Sequence, residues 1–174
     1  MKIGVPSEVK NNEFRVGLTP NSCRAIIGDG HSIFIQNNAG SGIGYTNEDY
    51  IKSGAQILDT AKEVYSAAEL IIKVKEPVES EYQYLRDDLT LFTYLHLAGD
   101  LANAKKLIET GVTGIAYETV TADDGSMPLL APMSAIAGQI SIVVGSYHLL
   151  KHNSGKGVLI GSFGDITPRD VTVI

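Results

Sequence analysis

The sequence has 174 residues, of which 44% are hydrophobic and 20% are charged, as is typical of one ordinary globular domain or slightly more. Its 14 basic and 20 acidic residues give a net charge of −6, and this balance argues against nucleic acid or an anionic membrane as the main partner. The single cysteine, Cys23, allows no internal disulfide, and the charged start MKIGVPSEVK has no signal-peptide pattern, so a cytoplasmic protein without a metal cluster is expected.

The first two thirds of the chain alternate short apolar segments with segments that carry helix signals. Thr19 followed by Pro20 predicts a helix N-terminus, and Thr60 with Glu63 three residues later is a capping-box pattern. Strands are expected at 2–6, 32–36, 69–74, 89–95 and 114–117. Helices are expected from 20 to about 28, over 46–53, after Thr60, and over 100–110.

The last third of the chain has a different character. A long helix rich in small residues is expected from Pro132 to about Lys151. A glycine-rich loop should follow, and the start of one more strand is expected over 170–174.

Strands and helices that alternate at this spacing predict an α/β fold with a doubly wound, mostly parallel sheet and helices on both faces, of the Rossmann or flavodoxin type. Ligands of such sheets collect at the carboxyl ends of the strands. Lys75, His96 and the pair Tyr117 and Glu118 follow three successive predicted strands. The sequence therefore predicts that these side chains lie along one edge of the sheet.

Three side chains, those of His96, Lys75 and Arg15, suit proton transfer or the binding of a carboxylate. His96 emerges where a buried strand opens into a loop, and histidine titrates near neutrality, although it could also cap its own strand. Lys75 could hold a carboxylate or polarise a carbonyl, but Lys73 points to the same face of the predicted strand, and either could be a solvated lysine. Arg15, in a polar loop, could clasp a carboxylate with two hydrogen bonds.

The glycine pattern at 40–44, GSGIG, does not predict a dinucleotide site. A dinucleotide fingerprint follows a strand, opens a helix and has an acidic residue about 20 positions later. Here the spacing is GxGxG, and Tyr45 and a polar turn follow. We therefore expect a loop.

Several motifs stand in an order that resembles one known family. They are MKIGVPSEVKNNEFRVGLTP, AGSGIGYTNEDY, IIKVKEP, LFTYLHLA, GIAYETV and LLAPMSAIAGQ. Together they resemble the alanine dehydrogenase and pyridine-nucleotide transhydrogenase family over essentially the whole chain. In that family, the lysine of VKEP and the histidine of YLHLA are typical of alanine dehydrogenases, whereas transhydrogenase subunits are not expected to keep the histidine. Lys75 and His96 therefore favour the alanine dehydrogenase branch.

This resemblance implies a reaction and a role for each site residue. The reaction is the reversible, NAD-dependent oxidative deamination of L-alanine to pyruvate and ammonium. Arg15 and Lys75 are implied to hold the substrate through its carboxylate and carbonyl oxygen, and His96 to move the proton as amine becomes imine and water adds. Met133 and Ser134 are implied to contact the dinucleotide. No metal is implied.

The resemblance also implies a division of the chain. Residues 1–131 should form the substrate-binding domain, 132–152 a connecting helix, and 153–174 a linker with the first strand of a nucleotide-binding domain that this chain lacks. A chain so truncated is expected to be inactive alone. Tyr117 and Glu118 are expected to be supporting residues, and the whole protein to be a homo-oligomer, since hexamers are usual in the family.

Three alternatives stay open from the sequence. The chain could be a non-catalytic substrate-binding or assembly module, a transhydrogenase alpha-subunit-like domain, or part of another amino-acid dehydrogenase of similar fold. The preference for NAD or NADP is likewise open. The apolar segment 171–174 and the surface left by absent helices predict self-association.

Overall fold

The computed structural model describes residues 1–172. The chain divides into two compact units, Met1–Val120 (unit 1) and Thr121–Ile174 (unit 2). The strands of unit 1 are β1 (Lys2–Val5), β2 (Ser32–Gln36), β3 (Gln56–Leu58), β4 (Leu70–Ile72), β5 (Thr90–Thr93) and β6 (Thr113–Ala116). Its helices are α1 (Pro20–Gly28), α2 (Asn47–Lys52), α3 (Ala61–Ala67) and α4 (Leu101–Thr110), and unit 2 contains α5 (Ala131–Leu149).

All six strands of unit 1 run parallel in one sheet, in the order β3-β2-β1-β4-β5-β6. Strand β1 lies in the middle, where Ile3 pairs with Ile33 of β2 on one side and with Leu70 of β4 on the other. The chain builds outward from β1 to β3 and then crosses back to place β4 beside β1. This crossing makes the carboxyl ends of β1 and β4 a topological switch point, where ligands of such sheets bind.

Apolar side chains cover both faces of the sheet. One core cluster packs β1 and β2 with α1 and α2 and includes Ile3, Val5, Cys23, Ile35 and Tyr50. The other packs β4 and β5 with α3 and α4 and includes Val64, Tyr65, Ile71, Leu91 and Leu107. The expected doubly wound α/β fold with helices on both faces is therefore confirmed.

The helix starts follow from local chemistry. The Thr19 hydroxyl accepts the N–H of Ser22 at 3.3 Å, and Pro20 occupies the first turn of α1, where no backbone N–H is needed. The Thr60 hydroxyl accepts the N–H of Glu63 at 3.2 Å, while the Glu63 carboxylate accepts the N–H of Thr60 at 2.8 Å. Both helix starts read from the sequence are confirmed.

Two strands differ from the expectation. Strand β3 was not expected, because it has three residues and lies half-exposed at the edge of the sheet, so its sequence lacks a clear apolar pattern. The strand expected over 170–174 is wrong in its described part: 170–172 form no strand, since no neighbouring strand offers them backbone partners. Val173 and Ile174 lie outside the described residues.

Unit 2 is built around α5, close to the helix expected over 132–151. Pro132 lies in its first turn, and apolar side chains such as Ile140, Val143 and Tyr147 are exposed along it. The glycine-rich segment that follows contains one isolated antiparallel bridge, Phe163 to Ile166. Within the part of the chain described, no helix is both long and apolar enough to cross a membrane.

Candidate active site at the carboxyl ends of the strands

The polar residues singled out in unit 1 lie where parallel strands end. Arg15 belongs to the segment after β1, Lys75 follows β4, and His96 follows β5. Glu118 is the second residue after β6. Since β1, β4, β5 and β6 are successive neighbours in a parallel sheet, these residues lie along the same carboxyl-end edge of the sheet, and Arg15 and Lys75 follow the two strands that flank the switch point.

Arg15 is oriented by a carboxylate two residues away. Its Nε and Nη2 donate to the two oxygens of Glu13 at 2.8 and 2.6 Å. The hydrogen bond from Arg15 is the main reason why the pKa of Glu13 is lowered, and the positive charge of Lys75 lowers that pKa further. Glu13 therefore lies within the electrostatic influence of both cations, and its carboxylate balances the charge of Arg15.

Gly17 brings the Arg15 segment against the end of β4. A Cβ atom at position 17 would lie 2.5 Å from the carbonyl oxygen of Ile72 and 2.9 Å from its carbonyl carbon. Both atoms belong to the backbone, so they could not move aside without displacing β4. Only glycine permits this approach, and the approach sets Arg15 beside the strand that leads to Lys75.

The structure distinguishes the two lysines after β4. Strand β4 ends at Ile72, so strict alternation of side chains stops before either lysine. Lys73 is 0% exposed, and its Nζ forms an ion pair with Glu81 and lies 3.9 Å from Glu8. Lys75 is half-buried. Lys75 is therefore the lysine at the mouth of the site, and Lys73 is a core residue.

Glu8 and Glu81 form a buried charged cluster with Lys73 that the sequence did not reveal. The Glu8 carboxyl accepts the N–H of Val74 at 2.6 Å and that of Lys75 at 3.3 Å. Burial raises the pKa of Glu8, and the charge of Lys73 is the largest influence that opposes this rise. The sequence feature that could have identified Glu8 is its position in the turn after β1, the strand beside the switch point.

His96 has a backbone conformation that needs support. Its φ of +52° lies in the left-handed region, which residues other than glycine seldom adopt. Glu118 accepts the N–H of His96 at 2.6 Å and that of Leu95 at 3.2 Å. The imidazole lies so close to Gly99 that a Cβ at position 99 would overlap the ring. Glu118 thus holds the backbone of His96, and the residue itself is exposed.

Aromatic rings line the same strand ends. Tyr117 packs edge-on against Phe92, with 4.3 Å between ring centroids, and against Tyr94, with 5.0 Å. Burial raises the pKa of Tyr117 and also that of Tyr94, which the positive charge of Arg15 partly lowers. These phenols therefore stay protonated around neutral pH and supply polar but uncharged surface.

The remaining sequence candidates belong to unit 2 and to the segment before α2. Met133 and Ser134 belong to the first turn of α5 in unit 2, and the N–H groups of both donate to the carbonyl of Leu130, at 3.0 and 3.2 Å. The GSGIG segment forms a short 3-10 turn at Ser41–Ile43 and opens no α-helix, as expected for a loop. Among residues 1–172, no group of three or more His, Cys, Asp or Glu side chains is placed to bind a metal ion.

Comparison with known proteins assigns the chain to a family. Residues 4–137 match the family model described as "Alanine dehydrogenase/PNT, N-terminal domain". The whole chain is 49% identical to an alanine dehydrogenase from Methanococcus maripaludis and 47% identical to one from Mycobacterium tuberculosis, and it covers 47% of each. The chain thus spans about half the length of the curated relatives it matches.

Solved structures agree with this fold. A structure of an L-alanine dehydrogenase matches 97% of the chain with a TM-score of 0.86 and 46% identity, and the match covers 46% of that protein. A transhydrogenase from Sinorhizobium meliloti matches 68% of the chain with a TM-score of 0.64 and 24% identity, over 35% of its own length. The second likeness concerns the fold alone.

Proposed function

The chain belongs to the alanine dehydrogenase/PNT family, and from that premise we propose that it supplies the substrate-binding part of an NAD-dependent alanine dehydrogenase. The reaction converts L-alanine, water and NAD⁺ to pyruvate, ammonium, NADH and one proton, and it is reversible. The observation that carries the proposal is the position of Lys75 and His96 on the ends of neighbouring strands, with the Arg15 segment packed against the first of them.

In this proposal each of the three residues has one task. Arg15 and Lys75 bind the substrate through its carboxylate and its carbonyl oxygen. A guanidinium and an ammonium suit these groups because the carboxylate is anionic and the carbonyl oxygen is polarised. His96 accepts the proton that water releases as it adds to the imine, and it donates a proton to the nitrogen as the carbinolamine breaks down; the reaction as a whole releases one proton to solvent. Tyr117 and Glu118 support the site without contacting the substrate.

The dinucleotide, when bound, accepts the hydride from the alanine Cα. The turn after β1 in unit 1 does not fit its pyrophosphate, because Pro6, Ser7 and Glu8 occupy the place of the glycines that such a turn requires. Glu8 also takes up the neighbouring backbone N–H groups that could hold an anion. We propose Met133 and Ser134 as contacts to the dinucleotide, and we propose that the whole protein is a homo-oligomer.

Two measurements test the proposal. The first is NADH oxidation by the purified protein that carries this chain, with pyruvate and ammonium as substrates. The second is pyruvate binding by isothermal titration calorimetry. Arg15→Ala and Lys75→Ala should each weaken pyruvate binding about tenfold or more, because each removes a charged hydrogen bond. Arg24→Ala, at an exposed arginine of α1, is the control and should not change it.

His96→Ala should lower turnover by about 10² to 10⁴, as expected for loss of a general acid–base group, without weakening NADH binding. Turnover at the wild-type rate in His96→Ala would refute the acid–base role. Pyruvate binding without turnover in the wild-type protein would instead favour a non-catalytic substrate-binding module. If the protein neither bound pyruvate nor oxidised NADH with pyruvate and ammonium, but exchanged hydride between nucleotides, a transhydrogenase-like part would be favoured.

A further inference from the structure

The Glu8 carboxylate stands beneath the Lys75 backbone and joins two segments far apart in the chain. Its side chain is 2% exposed, and its Oε1 accepts the N–H of Val74 at 2.6 Å. Its Oε2 accepts the N–H of Lys75 at 3.3 Å. A carboxylate that binds two successive N–H groups fixes the orientation of the peptide between them. That peptide carries the lysine that leads into the site.

Lys73 holds this carboxylate in place. Its Nζ lies 3.9 Å from Glu8 Oε2 and forms an ion pair with Glu81, which also accepts the hydroxyl of Tyr65 at 3.1 Å and the N–H of Val78 at 3.0 Å. A buried ammonium with two carboxylates and further donors is a satisfied network, which confines each member to one geometry. Lys73 thus anchors Glu8 from the core side.

Lys75 is held from its carbonyl side as well. The Thr93 hydroxyl, in β5, donates to the Lys75 carbonyl at 2.9 Å. The backbone of Lys75 is therefore fixed at its N–H by the segment after β1 and at its carbonyl by β5. With both backbone groups hydrogen-bonded, the direction in which the Lys75 Cα–Cβ bond leaves the backbone is fixed.

We propose that Glu8 is a positioning residue for Lys75: anchored by Lys73, its carboxylate fixes the Val74–Lys75 backbone and so directs the Lys75 ammonium toward the substrate. This inference rests on the proposed function for the identity of the ligand, but the placement of Lys75 is measurable without any ligand. Glu8 itself contacts no substrate. On this proposal the two lysines, two residues apart, have different roles: Lys73 anchors the Glu8 carboxylate, and Lys75 binds the substrate.

Glu8→Gln is the discriminating variant. Its amide oxygen can still accept the N–H of Val74, but its NH₂ group would face the N–H of Lys75 and the ammonium of Lys73, so that the hold on Lys75 is lost while the side-chain volume is kept. The matched control is Glu69→Gln. Glu69 also accepts a backbone N–H, that of Lys2 at 2.9 Å, but at the opposite end of the sheet.

The first readout needs no substrate. In protein labelled with ¹³C and ¹⁵N at lysine, the Lys75 side-chain signal is assigned by its absence in Lys75→Arg. We expect Glu8→Gln to move this signal toward those of exposed lysines such as Lys52, and Glu69→Gln to leave it in place. An unmoved Lys75 signal in Glu8→Gln would overturn the positioning role, whatever the ligand is.

The second readout is pyruvate affinity in a double-mutant cycle. We expect Glu8→Gln to weaken binding about tenfold in the wild-type background, comparable with loss of one charged hydrogen bond. In the Lys75→Ala background the same change should have no further effect, because Glu8 acts through Lys75. Equal losses in both backgrounds would show a general structural role and refute the proposal. Absence of pyruvate binding in the wild-type protein would refute the proposed function, while the lysine signals still decide the role of Glu8.

Discussion

At the scale of single residues, His96 combines an exposed imidazole with a left-handed backbone, φ +52°. Such a conformation costs free energy in a non-glycine residue and persists only where neighbours fix it. The Glu118 carboxylate does so by accepting the N–H groups of Leu95 and His96. The backbone strain at position 96 thus coincides with the residue proposed as the acid–base group.

Removal of the Glu118 carboxylate should therefore affect stability and site together. Glu118→Ala leaves the two N–H groups without their acceptor, so we expect a loss of about 1 to 3 kcal/mol in the free energy of unfolding, measured with denaturant. Glu118→Gln should keep most of the wild-type stability, since a single oxygen of Glu118 accepts from both N–H groups, at 3.2 and 2.6 Å, and the glutamine amide retains one such oxygen. Glu109→Ala, at an exposed acid of α4, is the control. Equal stability of Glu118→Ala and the wild type would show that Glu118 does not support His96.

At the scale of elements, the sequence predicted what local chemistry determines. The helix starts at Thr19 and Thr60 could be read because a cap needs only residues three or four positions apart. Strand β3 could not, because its three residues are stabilised by pairing with β2 rather than by their own pattern. The choice between Lys73 and Lys75 also depends on tertiary structure, since the acidic partners of Lys73 come from two other segments.

The close contact of the Arg15 segment with β4 makes Gly17 a test of element packing. Gly17→Ala should force the segment away from the Ile72 carbonyl. We expect a loss of about 1 to 3 kcal/mol in the free energy of unfolding, typical of overpacking, together with weaker pyruvate binding. Gly28→Ala, at the end of α1 where a Cβ would meet nothing within 4 Å, should not destabilise the protein. A Gly17→Ala variant with normal stability and pyruvate affinity would contradict the role given to this contact.

At the scale of the whole molecule, exposed apolar side chains bear on assembly. In α5, Val143 is 69% exposed, and Ile140 and Tyr147 lie on the same side of the helix. We expect the protein to self-associate, with a mass that rises with concentration in light scattering. Val143→Lys should shift this equilibrium toward monomer, whereas Ile108→Lys, at a residue of α4 that is 78% exposed, should not. A monomer at every concentration would contradict this expectation.

The central position of β1 also has a consequence for how the protein folds. Strands β1, β2 and β3 come from the first 58 residues, but β1 gains its second neighbour only when β4, at Leu70–Ile72, has been made. Glu8 and Lys75 are 67 positions apart, and closure of so long a loop between parallel strands is slow compared with helix formation. We therefore expect the crevice between β1 and β4 to be completed late in folding, when the chain crosses back beside its own first strand.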